Sequence, residues 1–314
     1  MSSASALQSA APFMERWHLT LRTPRPIGNV QHAGSMLRGA LGHALRELAC
    51  HCGNPHHAPD CLYQRIFEPV APDEVAGRQT DIPPAFVISP PLPAEQHHNP
   101  SFGFTLLGPA LEHASSLWAA WKWATQARPG NHLVGELERQ SLGATPAPVR
   151  IPTGQPLRLQ FTSPLLLKRK LPGETCSRAI EPHALGMRDL LIALHRRLST
   201  THRLYGVPTQ PPAPLGAWLD ACEHCRLETR LEAVDYGRRS SRQNRFMPLH
   251  GLLGRMELHG ALPPDLLDAF SLGQWLNLGN KTSLGQGAYR LLAPSAPTLR
   301  ITQEIPTDVI RLPV

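Results

Sequence analysis

A glycine-rich loop near the end of the chain carries the residues best suited to holding an anion. In the stretch LNLGNKTSLGQGAYRL (276–291), glycines surround Asn280, Lys281, Thr282 and Ser283. Glycine lets a ligand come close to the main chain, and free N–H groups beside a lysine and two hydroxyls suit a phosphate backbone. The loop has neither the GxxxxGKS/T order of a P-loop nor the GxGxxG order of a dinucleotide fold. On its own it is compatible with a mononucleotide, a nucleic acid or no ligand.

The charge of the chain favours the nucleic acid. The net charge is +7 and the sequence pI about 9.4, so we expect an acidic partner, with nucleic acid the first candidate. A basic surface without such a partner is the alternative. The positive residues recur in short clusters, KRK (168–170), HRR (195–197) and RRSSR (238–242), and not in a tail. Distributed clusters favour a folded groove.

Cysteine and histidine meet in one stretch, CHCGNPHHAPDC (50–61). Its six possible ligands are Cys50, His51, Cys52, His56, His57 and Cys61. The stretch lacks the usual CxxC pair of zinc sites, so a loop with free thiols is favoured and a structural zinc on Cys50, Cys52 and Cys61 is the alternative. A lone CxxC at Cys222 and Cys225 is a weaker signal of the same kind.

The elements that must position these residues form two halves built to one plan. RWHLTLRTP (16–24) and LRLQFTSP (157–164) alternate apolar and polar residues, which predicts half-buried strands. Each is followed by a predicted helix, at 35–50 and 183–206, the first with an apolar stripe at helical spacing. FGFTLLGPAL and GRMELHGALP then repeat a strand, a glycine and a helix. Strand–helix–strand–strand–helix–strand, twice, predicts an α+β fold of two tandem ferredoxin-like domains with a cleft between them; a single mixed α/β domain is the alternative.

The predicted boundaries follow this plan. We expect a disordered tail at 1–13, domains at 14–152 and 153–293, the second with the glycine-rich loop, and a Pro-rich extension at 294–314. The N-terminal residues do not resemble a signal peptide, and no apolar run is long enough to cross a bilayer. Six cysteines without a secretory context favour the cytoplasm.

Three segments carry a family resemblance. The block 251–291, the preceding YGRRSSRQ, and LRGALGHALRELAC together resemble the CRISPR repeat-processing endoribonucleases, which belong to the RAMP superfamily of tandem ferredoxin-like RNA-binding proteins. The likeness runs from about residue 14 to about residue 292.

That resemblance implies a function. It implies binding of the repeat hairpin in a CRISPR precursor transcript and cleavage by attack of a 2′-OH, giving a 2′,3′-cyclic phosphate and a 5′-OH without metal or other cofactor. It also implies that the product crRNA is retained for an effector complex with other CRISPR proteins. A RAMP subunit that binds guide RNA without cutting it is the main rival, and a zinc-containing nucleic-acid binder is a third reading.

In-line attack needs a base, cations for the phosphorane charge and a proton for the leaving oxygen. The catalytic candidates are Arg22, His32, Arg38, His43 and Arg242. Histidine is the base best matched to neutral pH, but a clear His–Tyr–Lys set around the first helix is missing, which leaves open a site built mainly of arginines. Arginine clamps phosphate oxygens well.

The remaining positive and polar clusters are candidates for RNA binding. In the segment 234–251 we predict a hairpin whose arginines follow an RNA groove, although a solvated hairpin tip is the alternative. The RNA-binding candidates are Arg25, Arg46, Lys168, Arg169, Lys170, Arg188, Arg196, Arg197, Arg238, Arg239, Arg245, Asn280, Lys281, Thr282 and Ser283. Gly39 and Gly42 in the first helix are explained either by close approach of RNA or by tight packing.

Overall fold

The computed structural model describes most of the chain, with short gaps. The described residues are 13–23, 33–52, 57–70, 82–91, 99–128, 131, 133–147, 149–152, 154–170, 173–240 and 245–292. Residues 236–240 and 245–249 are described by their backbone alone. Three predicted site residues, Arg25, His32 and Arg242, lie outside the described residues, as do 1–12 of the predicted tail and the predicted extension.

The first half forms a four-stranded antiparallel sheet, and helices connect its strands. Its elements are β1 (Met14–Arg22), α1 (Ala33–Ala49), α2 (Leu62–Phe67), β2 (Phe86–Ser89), β3 (Ser101–Leu107), α3 (Pro109–Glu112), α4 (Ala114–Ala124) and β4 (Glu136–Ser141). The strand order is β2-β3-β1-β4. The fourth strand therefore lies beside the first, and the third pairs with both the first and the second.

The second half repeats this order. Its elements are β5 (Leu157–Phe161), β6 (Lys168–Arg169), β7 (Arg178–Ala179), α5 (Met187–Tyr205), α6 (Leu215–Ala221), β8 (Arg226–Ser240), β9 (Arg245–His259), α7 (Pro264–Leu276) and β10 (Tyr289–Leu292). The main sheet has the order β10-β5-β9-β8, and β6 and β7 form a separate two-stranded ribbon. Both sheets thus have the arrangement of a ferredoxin-like fold. The predicted tandem fold is confirmed.

The core follows the predicted alternation. In β1, Trp17, Leu19 and Leu21 are buried, because successive side chains of a strand point to opposite faces and this face meets the helices. In the second sheet, Leu157, Leu159 and Phe161 of β5 are buried in the same way. None of the described helices is long and apolar enough to span a lipid bilayer.

The end of α7 joins the second half to the first sheet. The last carbonyls of a helix lack partners within the helix and carry its negative end. Here the Thr105 hydroxyl donates to the Trp275 carbonyl oxygen at 2.9 Å. The Arg16 guanidinium donates to the Thr105 hydroxyl at 3.0 Å and to the same carbonyl at 3.5 Å. Burial, with the nearby positive charge of Arg290, lowers the pKa of Arg16 to about 10, so Arg16 remains protonated at neutral pH.

Asn277, the residue after α7, makes a second link between the halves. It is buried and has φ +58°, in the left-handed region. Its side-chain amide donates to the Ile88 carbonyl oxygen at 2.9 Å, and its amide oxygen accepts from the Ser89 hydroxyl at 3.0 Å. Because both partners lie at the end of β2, this pair fixes the direction in which the chain leaves α7. The glycine-rich loop starts from that point.

The beginning of α1 touches the glycine-rich loop. A Cβ atom placed on Gly34 would lie 2.5 Å from the Leu284 carbonyl oxygen and 3.0 Å from the Gly285 Cα. Gly285 itself has φ +78° and lies against Pro90 and Ile88. Both glycines are therefore required by the approach of two backbones, one from each half.

We expect Gly34→Ala to lower the free energy of unfolding by about 1–3 kcal/mol, because the added methyl group meets backbone atoms that have no rotamer to change. Gly39→Ala is the matched control in the same helix, since nothing lies within 4 Å of a Cβ at Gly39. There, alanine should raise the free energy of unfolding by about 0.5–1 kcal/mol. Urea denaturation of both variants measures the difference. Equal stability of the two variants would contradict the close backbone contact.

Candidate nucleic-acid interface

A cleft of about 900 Å³ lies where the two halves meet. It is bordered by α1, the end of α2, the β6–β7 ribbon, α5 and the glycine-rich loop. Among the described residues, the carboxylates that line it are those of Glu68 and Asp189. The cationic lining residues of the same described part are Arg38, Lys168, Arg169, Lys170, Arg196, Arg197 and Lys281. Because the described cations outnumber the described acids, the cleft is suited to a polyanion.

The glycine-rich loop is held beside the KRK cluster by main-chain contacts. The Asn280 N–H donates to the Leu166 carbonyl oxygen at 2.8 Å, and the Gly287 N–H donates to the Pro164 carbonyl oxygen at 2.9 Å. A Cβ on Gly279, which has φ +87°, would lie 2.5 Å from the same Leu166 oxygen. Residues 164–166 lead directly into Lys168. The predicted loop and the predicted basic cluster therefore form one wall of the cleft.

Within this loop, the backbone presents polar groups on a short 3₁₀ turn at Thr282–Leu284. Lys281 precedes the turn with φ +56°, and Gly285 ends it in the same left-handed region. Asn280, Lys281, Thr282 and Ser283 all line the cleft. The Thr282 side chain is buried, whereas Asn280 is exposed. The four predicted loop residues are thus brought to one place.

Arg38 is the contribution of α1 to the cleft. Its guanidinium carbon lies 4.4 Å from the centre of the Phe67 ring, a cation–π contact that limits the directions the side chain can take. Gly42 makes room for this ring, because a Cβ there would lie 2.4 Å from the Phe67 Cζ. Packing thus explains Gly42. Gly39 faces open space, and the structure gives no packing reason for it.

Arg169 and Asp189 fix the ribbon to the start of α5. Arg169 Nε donates to Asp189 Oδ1 at 2.9 Å, Nη2 donates to the other carboxylate oxygen, and Nη2 also donates to the Ala184 carbonyl oxygen at 2.9 Å. The bond to Asp189 raises the pKa of Arg169. Asp189 also accepts from the Gly186 N–H at 3.0 Å, as an acidic residue in a first helical turn commonly does. Lys168 and Lys170, on either side of Arg169, are exposed.

The neighbouring arginines of α5 have different environments. Arg197 is 9% exposed, and its Nε donates to the Leu276 carbonyl oxygen at 2.9 Å, at the end of α7. Burial lowers the pKa of Arg197 to about 10, which leaves it protonated at neutral pH. Arg196 is exposed. Both were predicted to bind RNA, and both line the cleft, but only Arg197 also supports the joint between helices.

Other predicted residues are not among the described residues that line the cleft. Arg22 is exposed and makes a bidentate pair with Glu138, with Nε 2.6 Å from Oε1, which raises the pKa of Arg22. His43 is exposed, with its ring edge-on to Trp123 at 5.3 Å. Arg46 lies over the Tyr63 ring at 5.1 Å. Arg188 is exposed near the start of α5.

The arginine-rich segment forms the predicted hairpin. β8 and β9 pair along their whole lengths, from Arg226 opposite His259 to Ser240 opposite Arg245. Arg238 and Arg239 lie opposite Met247 and Phe246. The backbone thus brings Arg238, Arg239 and Arg245 to the outer end of one long ribbon.

Sequence reasoning missed the residues that support the cleft. Phe67 lies 29 positions from Arg38, in a helix too short to show a clear period, so no local pattern connects them. Arg16 contacts the end of α7 and Asn277 contacts the end of β2. In each case the partner lies in the other half, which only the tertiary fold brings near. Asp189 lies in the first turn of α5, which begins at Met187 and not at the predicted start, residue 183, so the predicted boundary concealed its role.

Two family models match parts of the chain. Residues 159–289 match the family model described as "CRISPR-associated endoribonuclease Cas6". Residues 11–145 match a second family model, described as an N-terminal domain. Residues 159–289 thus carry a Cas6 domain. The predicted family resemblance is confirmed. No curated protein sequence matches the chain.

A solved Cas6 structure shares the fold of this chain. A Cas6 protein of Thermus thermophilus in a product complex has 15% sequence identity and a TM-score of 0.52, covering 90% of this chain and 100% of its own. Another structure of that protein gives 17% identity and a TM-score of 0.49 over 90% and 100%. The product of a Cas6-related gene of Pyrococcus furiosus gives 12% and 0.46 over 89% and 98%. At such low identity, the first of these likenesses shows a common fold.

The adjacent arginines of α5 give a matched pair of variants. Arg197→Met should lower the free energy of unfolding by about 1–3 kcal/mol, because the Leu276 carbonyl loses a charged donor in a buried place. Arg196→Met should change stability by less than about 0.5 kcal/mol. It should instead weaken binding of a repeat RNA and reduce the slope of log affinity against log salt by about 1. Thermal denaturation and fluorescence anisotropy measure the two effects. Equal loss of stability in the two variants would contradict the different burial of Arg196 and Arg197.

Proposed function

We propose that this protein binds CRISPR repeat RNA in the cleft between its halves and cuts it on one side of the repeat hairpin. The observation that supports this most is the convergence of Arg38, from the first half, with Lys168, Lys170, Arg196 and Lys281, from the second, on a single cleft. The Cas6 domain at 159–289 supports the class of reaction, since that family is one of endoribonucleases. A Cas6 protein with the same fold was solved in complex with its product.

The stem of the repeat is held mainly by its phosphates. A-form RNA has a narrow major groove that side chains do not read, so a protein grips it by shape and backbone. The long β8–β9 hairpin and the exposed residues Arg188 and Arg196 of α5 suit such contacts. We assign Arg238, Arg239 and Arg245 to the same surface.

The chemistry occurs at one sugar–phosphate junction. The 2′-OH upstream of the scissile bond attacks phosphorus; its proton passes to a base, the P–O5′ bond breaks, and the leaving oxygen takes up a proton. The products are a 2′,3′-cyclic phosphate and a 5′-OH, and no metal enters the balance. Arg38, oriented by Phe67, stabilises the charge that develops on the phosphoryl oxygens. Lys281, with the hydroxyls of Thr282 and Ser283, holds the adjacent backbone.

The identity of the base that takes the 2′-OH proton is a separate part of the proposal. Among the residues that the structure describes, no histidine lines the cleft. His32 directly precedes α1, whose first residues touch the glycine-rich loop, and we assign it as the candidate base. Arg242 is assigned to the scissile phosphate from the hairpin side. After cleavage, the phosphate contacts on the stem persist, so the product remains bound and can serve as the guide of an effector complex.

One observation favours a second candidate function. Because no described histidine lines the cleft, and His43 instead lies against Trp123, the cleft also suits a RAMP subunit that holds guide RNA without cutting it. Such a subunit would keep the phosphate contacts and lack the proton transfers.

The two candidates are separated by incubating the full chain with end-labelled repeat RNA in EDTA. We expect a single cut and a 2′,3′-cyclic phosphate on the upstream product although no divalent metal ion is free in solution. The control RNA carries one 2′-deoxy substitution upstream of the cut, which removes the nucleophile and should abolish cleavage while binding persists. Tight binding of both RNAs without a cut would support the second candidate and exclude the first.

Arg38→Ala should lower the single-turnover cleavage rate by about 100- to 1000-fold, the usual cost of losing one stabilising group at a developing oxyanion, while RNA affinity changes little. Arg139→Ala is the matched control. Arg139 also lies over an aromatic ring, 4.5 Å from the centre of Trp17, but it is not among the residues that line the cleft, so its loss should leave the rate unchanged. Equal loss of rate and affinity in Arg38→Ala would instead make Arg38 a binding residue.

A further inference from the structure

A second cluster of reactive side chains lies outside the cleft, where α1 passes into α2. Its members are Cys50, Cys52, His57 and Cys61, and the possible ligand atoms of all four lie within 4.8 Å of one another. Cys50 directly follows α1, and Cys61 is the residue before α2. Of the three histidines in this stretch, His56 lies outside the described residues, and His57, not His51, belongs to the group.

The distances agree with a tetrahedral metal site. The Cys50 Sγ and the Cys61 Sγ lie 3.3 Å and 3.7 Å from the His57 Nδ1. Zinc bound at about 2.3 Å to sulfur and about 2.0–2.1 Å to nitrogen places these atoms about 3.6 Å apart at a tetrahedral angle. The Cys52 Sγ completes the group and accepts from the Ala58 N–H at 3.3 Å. Such N–H donation to a ligating sulfur is typical of the surroundings of a metal site.

We propose that Cys50, Cys52, Cys61 and the Nδ1 atom of His57 bind one Zn²⁺ ion. Three thiolates and one imidazole form a closed set of four ligands, which is characteristic of structural zinc and leaves no position for a reacting water. The ion therefore has a structural role and takes no part in RNA cleavage. The inference does not depend on the proposed function, because it rests on these four side chains alone.

The position of the site gives the ion a specific task. Zinc joins the end of α1 to the start of α2, and α2 carries the Tyr63 and Phe67 rings that lie under Arg46 and Arg38. The His57 ring also lies beside Tyr63, with ring centres 5.1 Å apart, and Tyr63 stacks on Phe67. A short, six-residue helix is marginal by itself. Zinc thus fixes the position of α2, whose Phe67 ring contacts Arg38.

The test is the metal content of the full chain, produced with zinc in the medium and freed of nucleic acid. Mass spectrometry of the metal should give one zinc per chain. Replacement by Co²⁺ should give the intense visible absorption of a tetrahedral site with thiolate ligands. Because the thiols must lose their protons to bind, zinc should be released as the pH falls. A chain that takes up neither Zn²⁺ nor Co²⁺ would overturn the proposal.

Matched serine variants locate the ion. Cys52→Ser should lose zinc under dialysis that leaves the native chain loaded, whereas Cys176→Ser, which alters an exposed cysteine outside the cluster, should keep it. Removal of zinc by a chelator should lower the melting temperature of the native chain and of Cys176→Ser. If Cys52→Ser does not fold, the cobalt spectrum of the native chain still decides the ligand type. Zinc retained equally by both variants would show that the ion is held elsewhere.

Discussion

The docking of the last turn of α7 against the first sheet is the interaction on which the rest of this structure depends. Its terminal carbonyls accept hydrogen bonds from Thr105 and Arg16 of the first half and from Arg197 of the second. A buried helix end without such donors would be costly, and two guanidinium groups at the negative end of a helix are favourable. The hydrogen bonds of Asn277 to the end of β2 then fix the direction in which the chain leaves α7. The glycine-rich loop consequently lies beside α1, and a cleft with cations from both halves results.

In this arrangement several glycines are needed because neighbouring atoms lie where a Cβ atom would be. Gly34 and Gly285 let two backbones meet, and Gly42 admits the Phe67 ring beneath Arg38. The Phe67 ring thereby orients Arg38, which lines the same cleft as the glycine-rich loop. A charge that is held before the substrate arrives needs little reorganisation during reaction, which is the physical basis of electrostatic stabilisation in enzymes. The aromatic support in turn depends on α2, whose first residue follows the cysteine–histidine cluster.

The fold could be predicted from the sequence because its signals are local and occur twice. The alternation in β1 and β5 identifies two strands, and the repeated order of elements identifies a tandem fold. The site could be predicted only in part. Lys281 and the KRK cluster were recognisable as basic, but their proximity depends on the Leu166–Asn280 contact between distant segments. The sequence does not distinguish Arg196 from Arg197, because both are arginines. Only the packing of α5 shows that Arg197 is buried and Arg196 exposed. The choice of His57 over His51 likewise needs the path of the loop.

The central claim is that both halves contact the same scissile junction. The most direct measurement is site-specific crosslinking, using a repeat RNA that carries the blocking 2′-deoxy sugar and a short photoreactive group on the scissile phosphate. Mass spectrometry then identifies the crosslinked peptides. This account predicts crosslinks from one phosphate to two places, the α1 segment around Arg38 and the loop around Lys281. Crosslinks confined to one half, or to the outer surface of either sheet, would contradict it.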